Sequence, residues 1–196
     1  MMPHPTATKI AELPNPLQRS VNADLIDMNG HMNVLHYLDF GSSGADVLVR
    51  QVAIDDAYRA QRQLGVFTAE HHLRYHKELR EHDEADVYCR VLDRTEKVVH
   101  MMSFVVDRNR HHLSSTLEIV LIHVDLVTRR PLPLPADIAT GFDQHIIWSK
   151  GLSWPAPVCG AMGVRRCRQE GLTTHVRDEF RKPSVNLPQL PRGRAV

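Results

Sequence analysis

The stretch Asp27-Met-Asn-Gly-His-Met-Asn-Val-Leu-His-Tyr37 sets how the chain is read. A carboxylate, a turn glycine, a histidine and an amide stand directly before an apolar helical pattern. Downstream, Leu35, Leu38, Ala45, Leu48 and Val49, with Tyr37 and Val52, recur at near-helical spacing. Gly41 and Gly44 fall inside this pattern. Each costs a helix about 1 kcal/mol against alanine, so their presence predicts a close neighbour at that face. Upstream, Leu17–Ala23 reads as a short extended segment, followed by the turn-rich Asp24–Gly30.

Beyond the long helix, a shorter one is expected over Asp55–Gln63, with Asp55 or Asp56 near its start and Gly65 past its end. The period then becomes strand-like. Val66–His76, Asp86–Asp93, Lys97–Asp107 and Leu117–Thr128 are the candidates, joined mostly by short polar turns. Val87, Cys89 and Val91 share one face of the second. Leu117–Thr128 is apolar on both faces around Val120–Ile122 and reads as a central, buried strand. Pro131, Pro133 and Pro135 end it, and Ala136–Trp148 reads as a last helix. A strand, a long helix and a run of antiparallel strands make an α+β domain, most compactly a sheet curled around the helix.

Composition narrows the function classes. The chain has 196 residues, 42% hydrophobic and 24% charged, which suits one globular domain with an appendage. The net charge of +1 removes a global electrostatic case for nucleic-acid binding. Cys89, Cys159 and Cys167 form neither a disulfide framework nor a zinc-type spacing, so a reducing cytoplasm is the expected location. No apolar run is long enough to span a membrane, and the first thirteen residues lack the apolar core of a signal peptide. The expected organisation is an N-terminal extension (1–14), a domain (15–150) and a basic, proline-containing tail (151–196), loosely ordered or draped on the surface. From Pro155 to Val196 there are eight Lys/Arg and three acids.

The chemistry is expected where the long helix begins. A helix N-terminus presents unpaired N–H groups that favour developing negative charge. Asp27, three residues before the turn glycine, is placed to act as general base or nucleophile. Each residue also has an ordinary structural use: Asp27 or Asn29 as an N-cap, Gly30 as a turn, His31 as a hydrogen-bonded ring, Tyr37 as pocket wall.

Asp-x-x-Gly-His-Met-Asn-x-x-x-Tyr resembles the motif that opens the helix in hotdog-fold acyl-CoA thioesterases of the 4-hydroxybenzoyl-CoA thioesterase group. Phe67–Leu79 is similar to that family's second strand, and Lys97–His100, Leu121–Asp125 and Thr128–Pro131 also fit. The resemblance covers about residues 15–145. Within the superfamily, the Gly-His, Thr-x-Glu-x-His and His-Val-Asp elements look most like thioesterases that hydrolyse betainyl-CoA. The resemblance implies a long helix wrapped by a curved antiparallel sheet, paired as a homodimer or homotetramer with sites at shared interfaces. It implies Asp27 as the catalytic carboxylate, with Gly30 and His31 where a backbone N–H polarises the thioester carbonyl. Asn33 matches the first of a common Asn-Asn pair, whose second member is Val34 here. Glu70 matches an acid that often faces the site, as partner or as the base itself.

The substrate implied is a short or polar acyl-CoA, with coenzyme A part of the substrate and no separate cofactor. Arg74 and Lys77, with Arg90 and Arg110, are candidates for its phosphates, and Asn33 and Tyr37 for the acyl end. A quaternary ammonium group would want aromatics, of which Tyr37, Phe40, Tyr58 and Trp148 are available. No metal is expected, because His71, His72 and His76 do not share one face of a strand. Two other readings compete: a hotdog hydratase or dehydratase, and a non-catalytic acyl-CoA or protein-binding module. Neither a nucleic acid nor a membrane is expected as a partner.

Overall fold

Asn33 is where the long helix begins. Its extended backbone leaves the helical region, and its side-chain oxygen accepts the Leu35 N–H at 3.1 Å. In this computed structural model, which describes residues 4–14 and 16–164, the chain order is α1 (Ala7–Ile10), β1 (Leu17–Ser20), a 3₁₀ turn (Ala23–Leu25), α2 (Val34–Gln51), α3 (Asp56–Arg62), β2 (Leu64–Tyr75), β3 (Glu84–Arg94), β4 (Val98–Asp107), β5 (His112–Asp125) and α4 (Ala136–Lys150). The strands form one antiparallel sheet in the order β1-β3-β4-β5-β2, with α2 packed across one face. This is the α+β arrangement of a sheet curled about a long helix. As expected, β5 is interior, between β4 and β2, and its apolar residues are buried except the partly buried Ile122.

The two helical glycines set how deeply α2 seats. A Cβ on Gly41 would stand 2.8 Å from Leu117 Cδ2, and one on Gly44 only 2.5 Å from Val87 Cγ1. The close approach also lets the Ser103 hydroxyl donate to the Gly41 carbonyl at 2.7 Å. Toward the C-terminal half of α2, Ala45, Leu48 and Val49 pack on Val91, Val99, Met101, Leu117 and Ile119. Near its start, Tyr37 and Phe40 pack with Val21, Met32, Leu79 and Val105. α4 adds Ile138, Phe142 and Ile146 to the first cluster.

One sequence expectation changes. β5 begins at His112, five residues before the expected Leu117. Ser114, Ser115 and Thr116 are buried between β4 and β2, so tertiary pairing overrides their weak strand signal. The sheet face away from α2 carries Tyr88, Met102, Phe104 and Val106, and it is covered by Ile10, Leu13 and Trp154. An apolar face of this size needs a cover, and Ile10, Leu13 and Trp154, from the segments that flank the strands and α4, supply it. Arg90 fixes the segment after α4, donating to Ser149 Oγ (2.6 Å), the Ser149 carbonyl (2.8 Å) and the Trp154 carbonyl (2.9 Å). The expected looseness of 165–196 lies outside the described residues.

Candidate active site

Asp27 opens a tight turn ahead of α2. Its carbonyl accepts the Gly30 N–H at 3.0 Å, and its N–H donates to the His31 carbonyl at 3.0 Å. Gly30 sits at φ +78°, a left-handed conformation that suits glycine. The Asp27 carboxylate accepts the Asn29 backbone N–H at 2.8 Å and lies 3.9 Å from His31 Nδ1. The side chain keeps 19% of its exposure, so water reaches it. Met32 N–H donates to the Leu79 carbonyl and Asn33 N–H to the Leu25 carbonyl, which fasten the turn to its surroundings.

This geometry redistributes the roles expected of the motif. The Gly30 N–H is engaged inside the turn. The His31 N–H makes no hydrogen bond among the described residues and is the available backbone donor. Asn33, expected to orient substrate, spends its side-chain oxygen capping α2. Tyr37 is 4% exposed and its hydroxyl accepts the Leu79 N–H at 2.8 Å, which leaves its own proton to donate. Burial pushes the Tyr37 phenol above its ordinary value.

Beside the turn is an open cleft lined by His31, Met32, Val34, Tyr37, Tyr75, His76, Lys77 and Glu78. The Tyr37 and Tyr75 rings meet edge to face, with centroids 5.3 Å apart. Burial, with His4 and Arg74 nearby, lowers His76 to about 4. The sequence does not mark Tyr75, His76 or Glu78 as site residues. Only the register of β2 on β5 and the return of the chain to Leu79 bring them to the turn, and no local motif encodes that.

Glu70 is not brought to Asp27 within the chain. It is exposed on β2, just past a bulge at Ala69, and pairs with Val120. It lies five residues from Tyr75, about 17 Å along a strand. The alternation of β2 sends His71 and Leu73 toward Ile119 and Leu117 under α2, and Glu70 to the other side. Arg74 and Lys77 stand at the end of β2 near the cleft. Arg90 and Arg110 do not serve as free cations: Arg90 is buried against Ser149 and Trp154, and Arg110 bridges Asp83 (2.6 Å) and Asp107 (2.7 Å). Of the other aromatics, Phe40 is buried under Arg19, and Tyr58 is buried and bonded to His123 Nε2 at 2.8 Å. Among the described residues, no helix is long and apolar enough to cross a membrane.

Residues 21–142 match the family model described as the thioesterase-like superfamily. The chain is 26% identical over 139 residues to the betainyl-CoA thioesterase of Pseudomonas aeruginosa, covering 71% of this chain and 87% of that one. It is 28% identical over 118 residues to the L-carnitine dehydrogenase/betainyl-CoA thioesterase of Rhizobium meliloti, covering 60% of this chain and 24% of that one. The chain thus spans about a quarter of the length of that fused relative. A Staphylococcus aureus protein solved in complex with CoA superposes with a TM-score of 0.65 at 22% identity, covering 76% of this chain and 94% of that one.

Proposed function

Because this chain belongs to the thioesterase-like superfamily, we propose that it hydrolyses an acyl-CoA thioester at the turn that opens α2. The observation that carries the reading is the pairing of a water-accessible Asp27 carboxylate with a backbone N–H, that of His31, left without a partner among the described residues. In the proposed reaction Asp27 takes a proton from water as the water oxygen attacks the thioester carbonyl. The His31 N–H receives the resulting oxyanion, an interaction typically worth about 3 kcal/mol. The tetrahedral species then breaks its C–S bond, and Asp27 returns the proton to the departing sulfur. The products are a free acid and coenzyme A.

The acyl group proposed is short or polar. The betainyl-CoA thioesterases among the relatives favour a cationic acyl end. The half-exposed Tyr75 ring, which the buried Tyr37 meets edge to face, supports this, since an aromatic face attracts a quaternary ammonium by about 0.5–2 kcal/mol. Glu78 adds little, because Arg80 already pairs with it. Self-association is part of the proposal. β2 is an edge strand twelve residues long whose outer side is unpaired among the described residues, and it offers a second copy a strand to pair with. The test is free-thiol release from a panel of acetyl-, betainyl-, medium-chain and aromatic-CoA thioesters. Release confined to one class supports the reading and names the class. Tight CoA-ester binding with no release from any of them would make the chain a binding module.

A further inference from the structure

Leu79 follows the cleft residues Lys77 and Glu78, and both of its backbone groups are bonded to the region where α2 begins. Its N–H donates to the Tyr37 hydroxyl at 2.8 Å, and its carbonyl accepts the Met32 N–H at 2.8 Å. Met32, Tyr37 and Leu79 are buried together with Val21 and Phe40. The two bonds close a ring that runs from Met32 along the chain to Tyr37, in the first turn of α2, and back through Leu79. A buried N–H needs an acceptor, and that of Leu79 has no other among the described residues. The hydroxyl supplies it, which phenylalanine at 37 would not.

The ring bears on the site through one peptide unit. The unit between His31 and Met32 is planar, and both of its polar groups are engaged. The His31 carbonyl accepts the Asp27 N–H at 3.0 Å, and the Met32 N–H goes to Leu79. The preceding unit carries the His31 N–H that has no partner among the described residues, and it joins the held unit at the His31 Cα. We propose that Tyr37 is a positioning residue: through Leu79 its hydroxyl holds the 31–32 peptide, and so sets where the His31 N–H points relative to the Asp27 carboxylate. This replaces the acyl contact expected of Tyr37, whose buried ring instead backs the half-exposed Tyr75. An oxyanion donor acts only within hydrogen-bond distance of the forming oxyanion, so a small loss of alignment costs rate rather than binding. The effect on catalysis rests on the proposed thioesterase reading; the clamp on Leu79 does not.

Tyr37→Phe keeps the ring and removes the acceptor. On the best thioester of the panel its kcat falls at least about tenfold while KM stays within about twofold, the pattern of a contact made only in the transition state. The order of preference among the thioesters is unchanged. Ile146→Ala, which opens a cavity in the cluster shared with α4, loses stability and keeps its kcat. Amide hydrogen exchange reads the clamp without turnover. In Tyr37→Phe the Met32 and Leu79 amides exchange at least about tenfold faster, beyond any change in the β4 amides that report global stability. Native kcat in Tyr37→Phe, or unchanged exchange at Met32 and Leu79, overturns the proposal. A raised KM or a reordered preference with kcat intact makes Tyr37 an acyl contact and overturns it too. An equal loss of kcat in Ile146→Ala reduces the effect to stability and has the same consequence. If the native chain releases thiol from no thioester, the proposed function fails, and the exchange rates still decide the clamp.

Discussion

Replacing Gly44 with alanine tests how the sheet and α2 fit. On helix propensity alone the change stabilises by about 1 kcal/mol. The new methyl, however, stands 2.5 Å from Val87 Cγ1 and 3.4 Å from Cys89 Sγ. Val87 is 1% exposed, paired through β3 with Leu17 on one side and Val105 on the other, and its branched side chain has little rotamer freedom. Neither partner can retreat cheaply, so overpacking costs about 2–3 kcal/mol, in the upper part of the usual range. The net effect is a loss of about 1–2 kcal/mol, or roughly 3–6 °C in Tm for a chain of this size. Urea and thermal unfolding of Gly44→Ala, Val87→Ala and the double variant complete the cycle. Val87→Ala alone costs about 2 kcal/mol for its lost methyls. The double variant is more stable than the sum of the singles, because the alanine methyl fills the space vacated. A Gly44→Ala variant that gains about 1 kcal/mol would show that α2 does not seat on Val87 as described.

Other consequences follow from buried polar groups. Glu118 is 1% exposed, bonded to His100 Nε2 at 2.8 Å and to the Cys159 N–H at 2.7 Å. Glu118→Ala strands both partners and lowers the unfolding free energy by about 3–5 kcal/mol; a loss under 1 kcal/mol in urea would contradict the assignment. Burial raises the Glu118 carboxyl, but the bonds from His100 and Cys159 outweigh it and hold the group below its ordinary value of 4.5. The stability it supplies is therefore complete above that value and is lost as pH falls through the lower folded one. His76, which burial lowers from 6.5 to about 4, acts in the same direction: the unfolded chain takes up its proton first, so stability declines from pH 6.5 toward 4. NMR titration of the native chain should place His76 near 4, and a midpoint of 6.5 would refute its burial. Burial pushes the Cys89 thiol up to about 12, so in a Cys159→Ser/Cys167→Ser variant it resists disulfide reagents at pH 8 until the chain unfolds.

The sequence made the scaffold legible where local pattern and tertiary demand agree. Alternation around Val87, Cys89 and Val91 marks the inner face of β3, and the glycines at 41 and 44 mark a close approach without identifying the neighbour. At α3 the sequence offers Asp55 or Asp56 as the cap, and it is Asp55 that accepts the Tyr58 N–H. Ser114–Thr116 was not, because its place in β5 comes from its neighbours rather than from its own propensity. The cover provided by Ile10, Leu13 and Trp154 was hidden because three scattered apolar residues give no period. At the candidate site the turn was legible and the roles within it were not. Whether Gly30 or His31 keeps a free N–H, and that Asn33 caps α2, depend on backbone hydrogen bonds. Tyr75 and His76 reach the cleft only through a register that no short motif contains.

The central claim is that the Asp27 carboxylate drives thioester hydrolysis. The most direct measurement is kcat for Asp27→Asn beside Glu70→Gln, on the best thioester of the panel, with folding of both variants checked by circular dichroism. The account predicts that Asp27→Asn folds, binds the thioester and loses at least about a hundredfold in kcat, the lower end of what a positioned base contributes. Glu70→Gln is predicted to retain more of its kcat than Asp27→Asn. A folded Asp27→Asn variant with undiminished kcat would contradict the account, and a collapse in Glu70→Gln alone would move the chemistry to β2.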